Sequence, residues 1–105
     1  MVSGTAVRAE ELGTLLNGRA LPASPVLVVP TLEPSWAVVF PRFAAVVAEL
    51  GGELSHAAIL LREAGIPSVV NARGAFAGIA EGDRVRVDPA QGRVVILEKT
   101  RTPRQ

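Results

Sequence analysis

Short apolar runs, separated by glycine, proline and charged residues, make up most of the chain and predict a mixed α/β domain. Residues 26–29 and 44–47 are uninterrupted apolar runs, which is typical of strands buried on both faces. Residues 84–87 alternate arginine with valine and predict a half-buried strand. Three more strands are predicted at 4–8, 68–70 and 93–97, and turn residues at 88–92 predict a closing hairpin. Helices are predicted at 34–40 and 74–79, with a short helix or turn at 10–16.

One further short helix has both of its ends marked in the sequence. Ser55 is a suitable N-cap, because its side-chain oxygen can accept a hydrogen bond from the amide of Ala58. Gly65 suits a left-handed residue just past the helix, and Ile66 and Pro67 supply the apolar contact and the stop that commonly follow. Positions 57–61 leave almost no polar face, so we predict that this helix is largely buried.

The start of this helix holds the candidate chemistry. His56, the only histidine in the chain, lies in its first turn, and Gly51 and Gly52 let the chain approach a ligand without side-chain bulk. A helix N-terminus presents free amides and a partial positive charge, which suit a phosphate group. A neutral imidazole is a nucleophile near pH 7 and can form a covalent intermediate. On composition alone, however, a lone histidine near an apolar helix is more often structural or simply solvated.

Composition excludes several other kinds of site. With no cysteine and one histidine, the 105-residue chain has no disulfide or thiol chemistry and no Cys/His metal cluster. The only lysine, Lys99, follows no glycine-rich run, so a nucleotide-binding P-loop is excluded. Eleven basic residues balance ten acidic ones, which argues against a nucleic-acid-binding surface. Asp83 and Asp88 are interpreted as solvated turn residues.

Two observations bear on location. The apolar run at 36–50 is broken by Pro41 and Arg42 and is shorter than the ~20 residues that a bilayer requires. The first five residues lack the apolar core of a signal peptide. We therefore expect a cytoplasmic protein that does not insert into a membrane.

The residues around His56 make up a long motif whose positions follow one another in order: Gly51-Gly52, Ser55-His56-Ala57-Ala58-Ile59, Arg62-Glu63 and Gly65-Ile66-Pro67-Ser68-Val69-Val70. This motif resembles the signature of the phosphohistidine swivelling (mobile) domain of PEP-utilising enzymes. That family includes phosphoenolpyruvate synthase, pyruvate phosphate dikinase and rifampicin phosphotransferase. Thr31, Pro34 and Trp36 match a Thr-x-x-Pro-x-Trp segment of the rifampicin phosphotransferase and synthase-like branch.

The resemblance implies a fold. We expect a three-layer β/β/α swivelling domain of short mixed strands, with a buried helix that starts at the active histidine. This domain is expected to span residues 1–98, and residues 99–105 to form a disordered basic tail.

The resemblance also implies a phosphoryl carrier. In this family an ATP-grasp-like nucleotide-binding domain phosphorylates the histidine, here His56. The carrier then moves to a second site, where pyruvate, PEP or another small molecule exchanges the phosphoryl group. The implied phosphate-stabilising residues are Ser55, Gly51, Gly52, Ala57 and Ala58. ATP and Mg²⁺ belong to partner domains, so this chain is expected to bind no cofactor or metal itself and to be one component of a PEP-synthase/dikinase-like phosphotransferase.

Two departures from the family pattern leave alternatives open. Leu54 stands where many members have threonine, and Asn71 stands where they usually have glycine. The main alternative is a non-catalytic docking or interaction module with the same fold. A binder of phosphate or a small molecule without covalent chemistry is a third possibility. For Trp36 we favour anchoring in the core over ligand contact, and for Arg62 and Glu63 a structural or inter-domain ion pair.

Overall fold

The computed structural model describes residues 2–10, 21–31, 34–50 and 56–99, and for residues 34 and 56–58 the backbone alone. In chain order these form β1 (Val2–Arg8), β2 (Pro25–Thr31), two 3₁₀ segments (Pro34–Val38 and Phe40–Arg42), β3 (Ala45–Leu50), α1 (His56–Glu63), β4 (Ser68–Val69), α2 (Ala75–Gly78), β5 (Arg84–Asp88) and β6 (Arg93–Glu98). The described strands make one sheet in the order β4-β3-β2-β1-β5-β6. Strands β1 to β4 are mutually parallel, and β5 and β6 are antiparallel to their neighbours.

The sheet has apolar side chains on both faces, as the uninterrupted runs in β2 and β3 predict. On one face, Leu27 and Val46 pack with Trp36 and Phe40 of the 3₁₀ segments and with Leu61 of α1. On the other face, Val28 and Val47 pack with Val69, Val85, Val87 and Ile79. Because β4 also contacts β5, which is not its neighbour in the sheet, the sheet curls around this second cluster.

The mixed α/β class is confirmed, as are the predicted strands, the short helix near 74–79 and the closing hairpin. Asn71, which stands where the family usually has glycine, adopts a φ of 58°, a left-handed backbone that asparagine tolerates. Trp36 is buried in the first cluster, which confirms its anchoring role. The division into three separate layers stays a prediction. The predicted helix or turn at 10–16 lies outside the described residues, except for Glu10.

Two of the element boundaries that differ from the prediction involve a proline. Strand β2 continues past Pro30 to Thr31. The pairing of β1 with β2 ends at Arg8, which lies opposite Val28. Pro30 lies beyond that point, so its missing N–H interrupts no hydrogen bond between β1 and β2. The segment at 34–40 is not one helix, because it divides into two 3₁₀ turns around Val39, the second of which contains Pro41.

The prediction of a largely buried helix at α1 was wrong. Among its described side chains only Leu61 is fully buried, Ile59 is 41% exposed, and Arg62 and Glu63 are exposed. The 3₁₀ segment Pro34–Val38 covers one side of this helix. Because the described elements pack mainly on this side, an apolar residue such as Ile59 is left at the surface.

The interpretation of Asp83 as a solvated turn residue was also wrong. It follows the turn observed at 81–82, and its side chain is fully buried. The buried carboxylate accepts hydrogen bonds from the Ala80 amide at 2.8 Å and from Lys99 Nζ at 2.9 Å, which offset its desolvation. Lys99, the first residue of the expected tail, therefore contacts the domain, and residues 100–105 lie outside the described part. The 98/99 boundary stays a prediction.

Candidate functional site

His56 is the first residue of α1, and α1 follows the carboxyl end of β3. The four strands β1 to β4 are parallel, so their carboxyl ends meet at the same edge of the sheet. In α/β domains, ligands bind where helices begin beyond the carboxyl ends of such strands. The topology therefore places His56 at the edge where a ligand site is expected.

The far end of α1 is closed by a Schellman motif. Gly65 has a φ of 74°, its amide bonds to the carbonyl of Arg62 at 3.1 Å, and the amide of Ile66 bonds to the carbonyl of Leu61 at 3.0 Å. Ile66 also packs against the first apolar cluster. The predicted C-terminal cap is confirmed, and it fixes the helix against β4 at the end away from His56.

The described part of α1 is buried on one side and exposed on the other. Leu61 is fully buried, and Leu60 packs against the first apolar cluster. Ile59 and Glu63, which are four residues apart on the same side of the helix, are exposed.

The charge along α1 favours an anion at its start. No acidic residue lies in its first turn, and Arg62 lies in its last turn, where a cation complements the helix dipole. A phosphoryl group at the N-terminus of a helix gains about 0.3–1 kcal/mol at an exposed site and up to ~2 kcal/mol if partly buried. A gain of this size is suitable for a group that must later leave.

Exposed apolar side chains belong to the elements on either side of this helix start. Leu50, the last residue of β3, is 54% exposed and pairs with Thr31, the last residue of β2. Val38, at the end of the 3₁₀ segment that packs against α1, is 68% exposed.

Two side chains without a predicted role hold α2 at the same edge of the sheet. Glu49, next to the last residue of β3, accepts a hydrogen bond from the Phe76 amide at 2.9 Å and so caps the start of α2. Arg8, at the end of β1, lies over the Phe76 ring at 4.1 Å from its centroid, and the Arg8 amide donates to Glu81 at 2.8 Å. In the sequence, the one sign of a role for Glu49 was that a carboxylate directly follows the apolar run at 44–48.

The predicted phosphate-stabilising residues divide into two groups. Ala57 and Ala58 lie in the first turn of α1 with His56. Gly51, Gly52 and Ser55 lie outside the described residues, as do Glu53 and Leu54. Within the described ranges, no three His, Cys, Asp or Glu residues are grouped where they could hold a metal ion. No described helix is long and apolar enough to cross a bilayer.

The family model for the mobile domain of PEP-utilising enzymes matches residues 21–92 of this chain. The chain belongs to this family. The matched range begins just before β2 and ends in the hairpin turn between β5 and β6, so it includes the whole of α1.

Several known phosphotransferases contain a segment similar to this mobile domain. A rifampicin phosphotransferase of Streptomyces sviceus is 39% identical over 77 residues, which is 73% of this chain and 9% of that protein. An uncharacterized phosphotransferase of Bacillus subtilis, YvkC, is 37% identical over 75 residues, 71% of this chain and 9% of that protein. A rifampicin phosphotransferase of the same species is 37% identical over 72 residues, 69% of this chain and 8% of that protein. The mobile domain thus spans less than a tenth of the length of these curated relatives.

Proposed function

We propose that this mobile domain is a phosphoryl carrier and that His56 is the residue that is transiently phosphorylated. The observation on which this rests is that His56 begins α1 at the carboxyl edge of the parallel strands. Membership of a family found in phosphotransferases supports the same assignment.

The carrier step is a nucleophilic substitution at phosphorus. A neutral imidazole nitrogen of His56 attacks a phosphoryl group of ATP, an N–P bond forms, and the P–O bond to the nucleotide breaks. The leaving nucleotide takes the electron pair, and the second ring nitrogen keeps its proton. In the return step an acceptor oxygen attacks phosphorus, and the N–P bonding pair goes back to the imidazole.

Partner domains complete the reaction in this proposal. An ATP-grasp-like domain holds ATP and Mg²⁺, and an acceptor domain binds pyruvate, PEP or another small molecule. Ser55, Gly51 and Gly52, with the amides at Ala57 and Ala58, stabilise the phosphoryl group on His56 through the helix N-terminus. The domain is a three-layer β/β/α swivelling unit that works in the cytoplasm, where ATP is available.

The departure at Asn71 does not favour the alternative of a non-catalytic docking module. Asn71 has a φ of 58°, so it retains the backbone conformation that glycine gives at this position. Leu54 lies outside the described residues. The docking alternative is therefore distinguished by experiment: it predicts that His56→Ala leaves phosphoryl transfer intact.

The test uses the 105-residue chain with two phosphoryl donors. Phosphoramidate, which phosphorylates imidazoles directly, tests the reactivity of His56, and ATP with Mg²⁺ and the cognate nucleotide-binding domain tests the carrier step. We expect one phosphoryl group per chain, labile in acid and stable in base, as for an N–P bond. An acid-stable adduct, no adduct with either donor, or an adduct that survives in His56→Ala contradicts the proposal. Ser55→Ala is the matched control and should keep the adduct while slowing its formation about two- to tenfold, the effect of one hydrogen bond.

A further inference from the structure

A groove separate from the His56 end of α1 runs between β4 and the β5–β6 hairpin. It consists of two adjoining clefts of about 390 and 290 Å³ that share Gly92. The first is lined by Ile66, Pro67, Ser68 and Val69 on one side and Pro89 on the other. The second continues along Ala72 to Ala75, facing Val94 and Ile96. We call the two together the β4 groove.

One wall of the β4 groove is an unpaired strand edge. Strand β4 is the first strand in the sheet order, and it pairs only with β3 among the described strands. The carbonyl of Pro67 points toward β3, since it accepts a hydrogen bond from the Val46 amide at 3.0 Å. Successive residues of a parallel strand direct their backbone groups to alternate sides, so the N–H and C=O of Ser68 point away from β3. Neither has a backbone partner among the described residues.

The charged residues among the described lining of the β4 groove are both arginines. Arg62 lines the first cleft and Arg73 the second; both side chains are exposed, and neither has a hydrogen bond or ion pair with a described residue. None of the described lining residues is acidic. The remaining lining is mostly apolar or glycine. This combination suits a chain that carries carboxylates and apolar side chains.

We propose that the β4 groove binds an extended acidic segment of a partner protein, which adds to β4 as a further strand. Its backbone exchanges hydrogen bonds with Ser68, its apolar side chains enter the clefts, and its carboxylates meet Arg62 and Arg73. An unpaired strand edge beside apolar lining favours a peptide over a free anion or a nucleic acid, because neither of these has a peptide backbone that could pair with β4. The surface is distinct from the phosphoryl-carrier site, because Arg62 lies six residues after His56, about 9 Å along the helix.

The proposal is tested with a blocked peptide of alternating glutamate and valine, titrated into the isotopically labelled 105-residue chain. We expect amide shifts at residues 66–70 and 92–96 that weaken as salt is added. A peptide with lysine in place of glutamate should not bind. Absence of these shifts at about 1 mM peptide, a concentration that detects weak binding, overturns the proposal. Equal binding of the lysine peptide, or equally strong displacement by inorganic phosphate or a single-stranded oligonucleotide, overturns it as well.

Variants separate the backbone contribution from the charges. Ser68→Pro removes the hydroxyl and an outward-facing N–H, so β3 pairing should persist while peptide affinity falls about tenfold. Ser68→Ala removes the hydroxyl but keeps that N–H, and its affinity should stay within about twofold. Arg62→Gln and Arg73→Gln should each weaken binding about two- to fivefold. Unchanged affinity in both arginine variants contradicts the charge assignment even if Ser68→Pro fails to fold. His56→Ala should bind the peptide normally, so the phosphoryl-carrier proposal and this one can fail independently.

Discussion

Lys99 Nζ lies 2.9 Å from Asp83 Oδ2, and this contact joins the end of β6 to the segment that precedes β5. The Asp83 side chain is fully buried, whereas Lys99 remains 58% exposed. Lys99 also donates to the carbonyl of Gly78 at 3.1 Å, and the Asp83 carboxylate accepts from the Ala80 amide. One ion pair therefore links the end of α2, the turn before β5 and the end of β6.

Removing either member of this pair should destabilise the domain, but by different amounts. Lys99→Ala should lower the free energy of unfolding by about 1 kcal/mol, because the exposed lysine is screened by solvent. Asp83→Ala should cost about 2–3 kcal/mol, because it also leaves the Ala80 amide without its acceptor. Urea denaturation measures both. Equal losses would show that the contact between Asp83 and Ala80 contributes little.

Two apolar residues on α1 should respond differently to truncation. Leu61→Ala should lower the free energy of unfolding by about 2–5 kcal/mol, since it opens a cavity in the first apolar cluster. Ile59→Ala should cost less than about 1 kcal/mol, because 41% of that side chain is already in water. A large loss for Ile59→Ala would contradict the one-sided burial of the helix.

Gly4 in β1 should not tolerate a side chain. A Cβ at this position would overlap the backbone carbonyl oxygen of Ser24, which accepts a hydrogen bond from Thr5. Gly4→Ala should therefore destabilise the domain by about 1–3 kcal/mol or more. Gly78→Ala in α2 is the matched control, since nothing lies near its Cβ; it should be neutral or stabilising by up to about 1 kcal/mol. Thermal unfolding of the two variants checks the contrast, and equal melting temperatures would exclude the overlap.

The left-handed backbone at Asn71 predicts an order of stability among substitutions there. Asn71→Gly and Asn71→Ala both lose the amide side chain, so the difference between them isolates the backbone. With a φ of 58°, the alanine variant should be about 1–2 kcal/mol less stable than the glycine variant. If chemical denaturation finds the alanine variant equally stable, the backbone at this position must relax.

Local sequence patterns determined much of the fold. The apolar runs at 26–29 and 44–47 predicted the two central parallel strands, because strands buried on both faces need no polar side. Gly65, Ile66 and Pro67 predicted the end of α1, because a Schellman cap depends on only a few consecutive residues. The same short stretch located His56 at the start of that helix and gave the resemblance to the mobile domain.

Only the tertiary structure decided which side chains those elements bury and what they touch. An apolar helix sequence predicts burial, but the segments packed against α1 leave Ile59 exposed. Asp83 resembles a solvated turn residue in the sequence, yet the folded hairpin brings Lys99, sixteen residues away, to its carboxylate. Likewise, the unpaired edge of β4 faces the hairpin turn only because the sheet curls. Backbone conformation depends mainly on neighbours in sequence, whereas burial and charge pairing depend on residues that meet only when the chain folds.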